Sequence, residues 1–545
     1  MKPSAKKPAK SLLKKIRHGV QSVAYSNALY RKMLASGAGA DRLYFTLPDV
    51  WPGDAQAGMA LMTGQRSIFD SSSTVSLRQA GTVLRNLRAV GTDAARRMAV
   101  ELIANWLRHH DSWSEAEWMP DVLGERIAGW ISLYEFYAPA ATPEFTANLT
   151  ASLHRQWKHL LRVLPPTLTG VAGLRAIKGL VYGGLNFPDG DKALGLAVDL
   201  LKRQLTNEIL PDGGSLSRNP SSQLHILRHL VDLRAVLKAA DLEAPEIITT
   251  AIGQMVPVVK FYRHGDGGLA LFHGGGEETS LLIDTVLTQA EIKGRALRRL
   301  PDTGYERITA GRGLLLCDCA APPPRGFDAS GHAGLLSFEF GSGKERLIVN
   351  CGAMPDANTE WRVAMASTAA HSTLTVEDTN ACDVMPSGSV MGNVNVEAQR
   401  FEQDGIQSVE MSHDGYQARF GIRHHRLLSL TGDGEELRGC ESLSGPADRA
   451  FTIRWHLHPN VQASLTQGGK TALLRSEGGS GWRLRVDQPK GENWNEAGVL
   501  ELESSIYCGN GAPRRSLQLK LSGRTEKLAG DAPTRIFWSL SREKK

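Results

Sequence analysis

The chain has 545 residues, enough for roughly two to four domains and several buried cores without a disulfide or metal to hold them. Its hydrophobic fraction of 41% and charged fraction of 22% are those of an ordinary soluble globular protein. The net charge of +6 is concentrated at one end. The first forty residues hold nine Lys or Arg and no Asp or Glu, so the remainder carries −3, which excludes a nucleic-acid-type basic surface on the body.

The arm over residues 1–42 opens with Lys2, Lys6, Lys7, Lys10, Lys14, Lys15 and Arg17. It reads as a solvated segment, or as one suited to weak contact with anionic lipid. No long apolar run follows it, so the sequence predicts neither a signal peptide nor a membrane span, and a cytoplasmic chain. From residue 43 the apolar spacing is helical. Leu123, Ile127, Trp130, Ile131 and Tyr134 share one face, as do Leu149, Leu153, Trp157, Leu160, Leu161 and Leu164. Further helical runs cover 93–108, 173–186, 191–209, 222–240 and 244–262. Pro165-Pro166, Pro211-Asp212-Gly213-Gly214 and Gly265-Asp266-Gly267-Gly268 fall between runs. Such helices bury their stripes against one another as a bundle, a solenoid or a toroid of hairpins.

Near residue 305 the period changes to two. Leu336, Phe338 and Phe340 alternate with Leu335, Ser337 and Glu339, and strands are predicted at 312–319, 346–351, 372–377, 416–430, 451–457, 481–487 and 499–507. Strands without intervening helices predict an antiparallel sandwich over 306–545. Ala321-Pro322-Pro323-Pro324 is a connection or an edge, since proline has no N–H for a ladder. Cys317, Cys319, Cys351, Cys382, Cys440 and Cys508 show no CxxC pair or finger spacing, and read as buried free thiols.

The first chemical candidate is Arg362 followed by Thr368-Ala369-Ala370-His371-Ser372-Thr373-Leu374. This run resembles the segment of heparinase II/III-like lyases in which "Arg … Ala-His-Asn-Thr" presents a catalytic histidine, with Ser372 in place of Asn. Other stretches match the same family in order. They are Trp118-Met119-Pro120-Asp121 with Arg126 and Trp130, Ser217-Arg218-Asn219-Pro220, Arg263-His264-Gly265-Asp266, and His332-Ala333-Gly334. His424-His425-Arg426, Arg454-Trp455-His456-Leu457-His458-Pro459 and Glu503-Ser504-Ser505-Ile506-Tyr507 follow. The resemblance covers about residues 43 to 540. It implies an α+β chain, an incomplete (α/α) toroid followed by a β-sandwich, and β-elimination on a uronic-acid glycan. That chemistry needs the carboxylate neutralised, a base for the adjacent proton and an acid for the leaving oxygen. In the studied lyases an Asn or His does the first, and a Tyr and a His the rest. Such lyases usually work outside the cytoplasm, so the resemblance implies the periplasm or cell envelope.

Two family positions are filled differently. Val171-Ala172 stands where Asn-His is usual, and Ser222-Gln223 where Tyr-His is usual. Arg218, Asn219 and Gln223 are the substitutes for neutralising a carboxylate, Tyr182 for acid or base, and His264 and Trp118 for further substrate contact. His371 and Arg362 remain the catalytic candidates. Some relatives carry a structural zinc, for which His424, His456, His458 and Asp383, with His425, supply ligands; His456 and His458 share a strand face. No cofactor is required for the elimination itself. There is no Walker A, Gly-x-Ser-x-Gly or His-Glu-x-x-His motif, and the run His273-Gly274-Gly275-Gly276-Glu277 reads as a loop. The expectation is a lyase-type protein on an acidic glycan. The alternative, motivated by the two altered positions, is a non-catalytic or repurposed glycan-binding or envelope-associated protein.

Overall fold

A computed structural model describes residues 24–36, 42–64, 80–164, 168–188, 190–354, 358–466, 468–487, 499–527 and 532–543. The lysines and arginine that open the basic arm, and Pro165-Pro166, lie outside these residues. The chain divides into two compact units, residues 1–206 with 229–249, and residues 207–228 with 250–545.

The first unit is helical. Its predicted runs appear as Asp93–His110, Pro120–Ser132, Pro143–Val163, Gly170–Gly184 and Gly190–Glu208, preceded by the short helices Ala28–Ala35 and Ala55–Met62 and by Ala80–Val90. Local chemistry sets their ends. Thr142 accepts from the Phe145 N–H at 3.2 Å and Pro143 occupies the first turn, where its missing N–H costs nothing. From there Leu149, Leu153, Trp157 and Leu160 follow the helical period into the core. Pro120–Ser132 and Gly170–Gly184 meet backbone to backbone. A methyl built on Gly124 would stand 2.0 Å from the Arg175 carbonyl oxygen, and one on Gly179 2.4 Å from Gly124 Cα. Among the described residues no helix is long and apolar enough to cross a membrane.

The second unit carries the sandwich. One sheet runs in the order Arg299–Leu300, Tyr305–Ala310, Gly313–Asp318, Phe338–Ser342, Glu345–Val349, Ala450–Leu457, Arg514–Arg524, Glu501–Tyr507, with Leu374–Val376 also pairing Ala450–Leu457. The other runs Val461–Leu465, Thr471–Ser476, Gly481–Asp487, Thr534–Arg542, Glu436–Ser444, Arg423–Leu430, Ile406–His413, Val396–Gln403. Every ladder in both sheets is antiparallel. Their inner faces form one core in which Phe338 stacks on Trp538 at 5.7 Å and Phe340 meets Trp482 edge-on at 5.5 Å. Arg426 is buried in it. It pairs with Glu441 and donates to the Leu336 and Ser372 carbonyls at 2.8 and 2.9 Å. Leu336 has a left-handed backbone (φ 55°), so this donor meets a carbonyl turned out of the normal ladder.

The change of period near residue 305 coincides with the start of the sheets, but the compact unit begins earlier in the chain. Residues 207–228, the helix Glu246–Phe261 from Thr250 onward and the helix Ser280–Gln289 belong with the strands. Leu335 and Leu336, expected to open a strand, form the turn before Phe338–Ser342. The run expected over 416–430 is broken by the turn of helix Gln417–Phe420 and begins as a strand at Arg423. Val396–Gln403 gives no apolar alternation because it is an edge strand with most of its residues exposed.

All six cysteines are free and five are buried. Gly124→Ala is expected to force the two helices apart and cost about 2 kcal/mol. Thermal unfolding followed by circular dichroism should show the helical signal melting at a lower temperature than in the parent.

Candidate functional site

The polar centre of the second unit is built from loops at the ends of its elements. Arg218 and Asn219 precede the helix Pro220–Ala239, Asp318 ends the strand Gly313–Asp318, and His273 and His332 sit in connections. His371 follows the 3-10 turn Thr368–Ala370. Arg218, Asn219, His273, Asp318, His332 and His371 are all buried.

Arg218 sets the geometry. Its Nε donates to the Thr303 carbonyl at 2.7 Å. One terminal nitrogen donates to the Ala320 and Ala321 carbonyls at 3.2 and 2.6 Å, the other to the Gly304 carbonyl at 3.0 Å and to Asp318. The guanidinium lies 4.8 Å from the Tyr305 ring centroid, and the Tyr305 hydroxyl donates back to the Arg218 carbonyl at 2.6 Å. Burial alone would raise the Asp318 carboxyl, but Arg218 and His273 outweigh it and hold the group below its usual range.

Asp318 then fixes His273. His273 Nδ1 accepts from the His332 backbone N–H at 3.1 Å, so Nε2 carries the proton and donates to Asp318 Oδ2 at 3.0 Å. The 3.0 Å approach of the Arg218 terminal nitrogen to Nε2 is therefore a contact between two donors balanced by one carboxylate. His273 has φ 46°, a left-handed conformation a non-glycine residue adopts at a cost of about 1–2 kcal/mol.

The same logic orders the next pair. His371 Nδ1 lies 2.8 Å from the Ser367 carbonyl, which can only accept, so Nδ1 is the protonated nitrogen. His371 Nε2 must then accept from His332 Nδ1, 3.0 Å away. Both nitrogens of His371 are used within the fold, and the lone pair left over belongs to His332 Nε2. Glycine is required beside this pair: a Cβ on Gly334 would stand 2.5 Å from His371 Cδ2. Burial pushes the His371 imidazole down to about 4, against the opposing effect of the Ser367 carbonyl. Burial and the neighbouring His371 put His332 well below its ordinary value.

These positions revise several expectations from sequence. Arg218 was expected to meet a substrate carboxylate, but all of its N–H groups are engaged within the protein. Asn219 accepts from the Ser222 N–H at 2.9 Å and donates to the His273 carbonyl at 2.7 Å, as a helix cap. Gln223 donates to the Gly213 carbonyl at 2.8 Å and accepts from the Ser215 N–H at 2.9 Å. His264 is buried against Glu339, Nε2 to Oε2 2.8 Å. Tyr182 is buried in the helical unit, where burial and then Asp232 raise its phenol well above the usual value, opposite to what a base needs. Arg362 is exposed on the helix Thr359–Ala366 and among the described residues reaches Thr359 Oγ1, at 3.5 Å. Trp118 is buried in the helical unit, its Nε1 donating to the His110 carbonyl at 3.1 Å and its ring edge-on to His159 at 5.2 Å.

The residues nominated for zinc do not converge. His424 uses Nε2 on Glu441 at 2.7 Å and faces His413 with Nδ1, and His456 uses its nitrogens on Ser505 and the Ala369 carbonyl, both at 2.9 Å. His458 faces Glu277 at 3.7 Å, Asp383 is ion-paired with Arg419, and His425 lies on the strand Arg423–Leu430. Among the described residues no three His, Cys, Asp or Glu side chains form a metal-binding group. The donor set does not fit a zinc ion.

Two participants were missed from sequence. His332 was read as part of a strand-opening motif, and His273 was set aside within a glycine-rich loop. A histidine flanked by glycines at a tight turn was the available signal. A further cluster lies elsewhere in the sandwich unit. Tyr507 donates to Glu277, which also faces His458 and, at 3.8 Å, Arg346, beside a cavity of about 1180 Å³. Burial raises the Tyr507 phenol, so it is a donor there and not a base.

Residues 292–539 match the family model described as heparinase II/III-like, C-terminal. The sandwich is thus similar to the heparinase II/III-like C-terminal domain. A solved heparinase III aligns over 99% of this chain and 92% of its own, with a TM-score of 0.73 at 13% identity. The heparan sulfate lyase HepC from Pedobacter heparinus aligns over 98% and 91%, with a TM-score of 0.59 at 14% identity. At such identities the likeness is one of fold: an (α/α) toroid followed by a β-sandwich. A curated relative, FtsZ-localized protein C of Caulobacter vibrioides, is 29% identical over 555 residues, covering 93% of each chain. Its name is not that of an enzyme.

His332 and His371 of the heparinase-like domain have depressed folded pKa values. Their neutral forms stabilise the fold fully above the usual 6.5, and that contribution is lost as pH falls below it, for His371 over the window from 6.5 to about 4. For His371 the loss is on the order of 3 kcal/mol. The thermal midpoint should hold steady at neutral pH and drop across that window, and His371→Gln should flatten the drop. Arg218→Met leaves Asp318 buried without its cationic partner and is expected to cost about 3–5 kcal/mol, measured by urea unfolding of tryptophan fluorescence.

Proposed function

We propose that this protein binds an acidic glycan on a lyase scaffold without cleaving it, and works where FtsZ localises. The observation that carries the reading is the internal use of the polar groups a lyase would turn toward substrate. The N–H groups of Arg218, both nitrogens of His371 and both ends of the Gln223 amide are bonded within the fold. The relative whose name records FtsZ localisation supports the second half. The basic arm of residues 1–42 suits anionic lipid and would hold the protein against a membrane surface. A fluorescent fusion is expected to gather with FtsZ, and removal of residues 1–20 to release protein from the membrane fraction. A fusion spread evenly through the cell would sink this part of the reading.

A second reading, β-elimination on a uronic-acid polymer, is favoured by one observation. His332 Nε2 keeps a lone pair on an imidazole held neutral by burial, the state a general base requires. In that reading His332 takes the proton and His371 is its positioning residue, bonded to Nδ1. Incubation with a panel of uronic-acid polymers distinguishes the two, since elimination creates an ultraviolet-absorbing unsaturated product. The expected outcome is no signal. Signal abolished by His332→Gln and kept in part by His371→Gln would establish the second reading instead.

A further inference from the structure

The helical unit contains a cavity of about 560 Å³, within the usual range for small-ligand clefts. The helix Ala28–Ala35 forms one side and supplies Arg31 and Lys32; Arg108, near the end of Asp93–His110, comes from another. These three cations are exposed, and their side chains make no hydrogen bond or ion pair among the described residues. The carboxylate in the lining, Asp111, is already used by Arg155 and the Ser152 hydroxyl. The cavity therefore presents uncompensated positive charge.

Its wall is aromatic. Tyr25 and Trp113 line it with ring centroids 5.8 Å apart, and Trp118 lies beside them. His159 joins this cluster 5.1 Å from Tyr25, kept neutral because burial and then Arg162 push its imidazole down to about 4. The covering helix is held in place. The Tyr30 hydroxyl bonds His159 Nδ1 at 2.7 Å, Leu34 is buried, and Lys158 donates to the Ser36 carbonyl at 2.6 Å, beside the helix C-terminus. The recess is thus preformed.

Ring surface beside free guanidinium and ammonium groups is what a sugar acid requires, since its C–H face packs on the rings and its carboxylate meets the cations. A phosphate alone would use the cations and leave the rings idle. We infer that this cavity is the binding subsite for a carboxylate-bearing sugar unit of an acidic oligosaccharide, with Arg31, Lys32 and Arg108 as the anion contacts and Trp113 as the stacking surface. The inference rests on the glycan-binding reading above and places it on residues that a lyase mechanism does not need.

The test uses the full chain, with tryptophan fluorescence and calorimetry reporting titrations. The probes are size-defined heparan, chondroitin and polygalacturonate oligosaccharides, neutral oligosaccharides of equal length, and vesicles of phosphatidylglycerol with phosphatidylcholine. At least one acidic oligosaccharide should bind and neutral ones should not. Arg31→Ser combined with Arg108→Ser should weaken binding about tenfold or more. Both side chains are exposed and unpaired among the described residues, so circular dichroism should match the parent; Trp113→Ala supplies an independent variant with the same expected loss. Acidic-oligosaccharide binding that both variants leave intact overturns this subsite while sparing the glycan-binding reading. No binding of any acidic oligosaccharide by the parent overturns both. Vesicle binding that needs Arg31 and Arg108, without oligosaccharide binding, overturns the sugar assignment in favour of lipid phosphate.

Discussion

Arg218 is withdrawn from water with its full charge, and such a burial costs several kcal/mol unless both the charge and the N–H groups are met. Here the carbonyls of Thr303, Gly304, Ala320 and Ala321 and the carboxylate of Asp318 meet them. The consequence spreads outward by proton placement. Asp318 stays ionised, His273 must point Nε2–H at it, and His273 Nδ1 is then free to hold the His332 backbone. The tautomers of His371 and His332 are set from the other side, by the Ser367 carbonyl. The buried guanidinium thereby orients Asp318 and His273, and binds the start of the helix Pro220–Ala239 to the loops of the sheet.

This arrangement explains why the scaffold and its chemistry can part company. A lyase needs donors and lone pairs directed at a ligand. In this chain the N–H groups of Arg218, the Gln223 amide and both nitrogens of His371 are directed at the protein itself, and together they form a junction between loops. Uncompensated charge is found elsewhere, around the aromatic recess of the helical unit. The fold shared with the heparinases persists because sheets, helices and close glycine contacts depend on periodicity and small residues, which survive changes at a few polar positions.

The fold was readable from sequence to the extent that it rests on period. Helices such as Pro143–Val163 bury one continuous stripe, and the switch to strands appears close to where the sheets begin. Gly313–Asp318, buried on both faces, still reads as a strand over 312–319, whereas the exposed edge strand Val396–Gln403 leaves no apolar alternation to find. The site was less readable. Arg218 and Gln223 have the composition of a cleft rim, and residue type cannot reveal that loops distant in sequence would supply carbonyls to saturate them. His371 stood out because of its neighbours, but the use of both its nitrogens within the fold depends on the Ser367 carbonyl and on His332, thirty-nine residues earlier in the chain. The grouping of residues 207–228 with the strands is invisible to any local pattern, since it rests on contacts of Asp212, Arg218 and Asn219 with residues more than fifty positions away.

The edge strand Val396–Gln403 has one further implication. An outer strand offers a row of unpaired backbone groups on which a second chain can assemble, and flat apolar edges are where aggregation starts. This one reads Val-Glu-Ala-Gln-Arg-Phe-Glu-Gln, with Glu397, Arg400 and Glu402 spaced along it and Arg400 drawn across to the Arg307 and Arg298 carbonyls of the other sheet. Two sheets of eight or nine strands would otherwise be a hazard at high local concentration. Protecting that border keeps one copy of the protein from adding to the sheet of another.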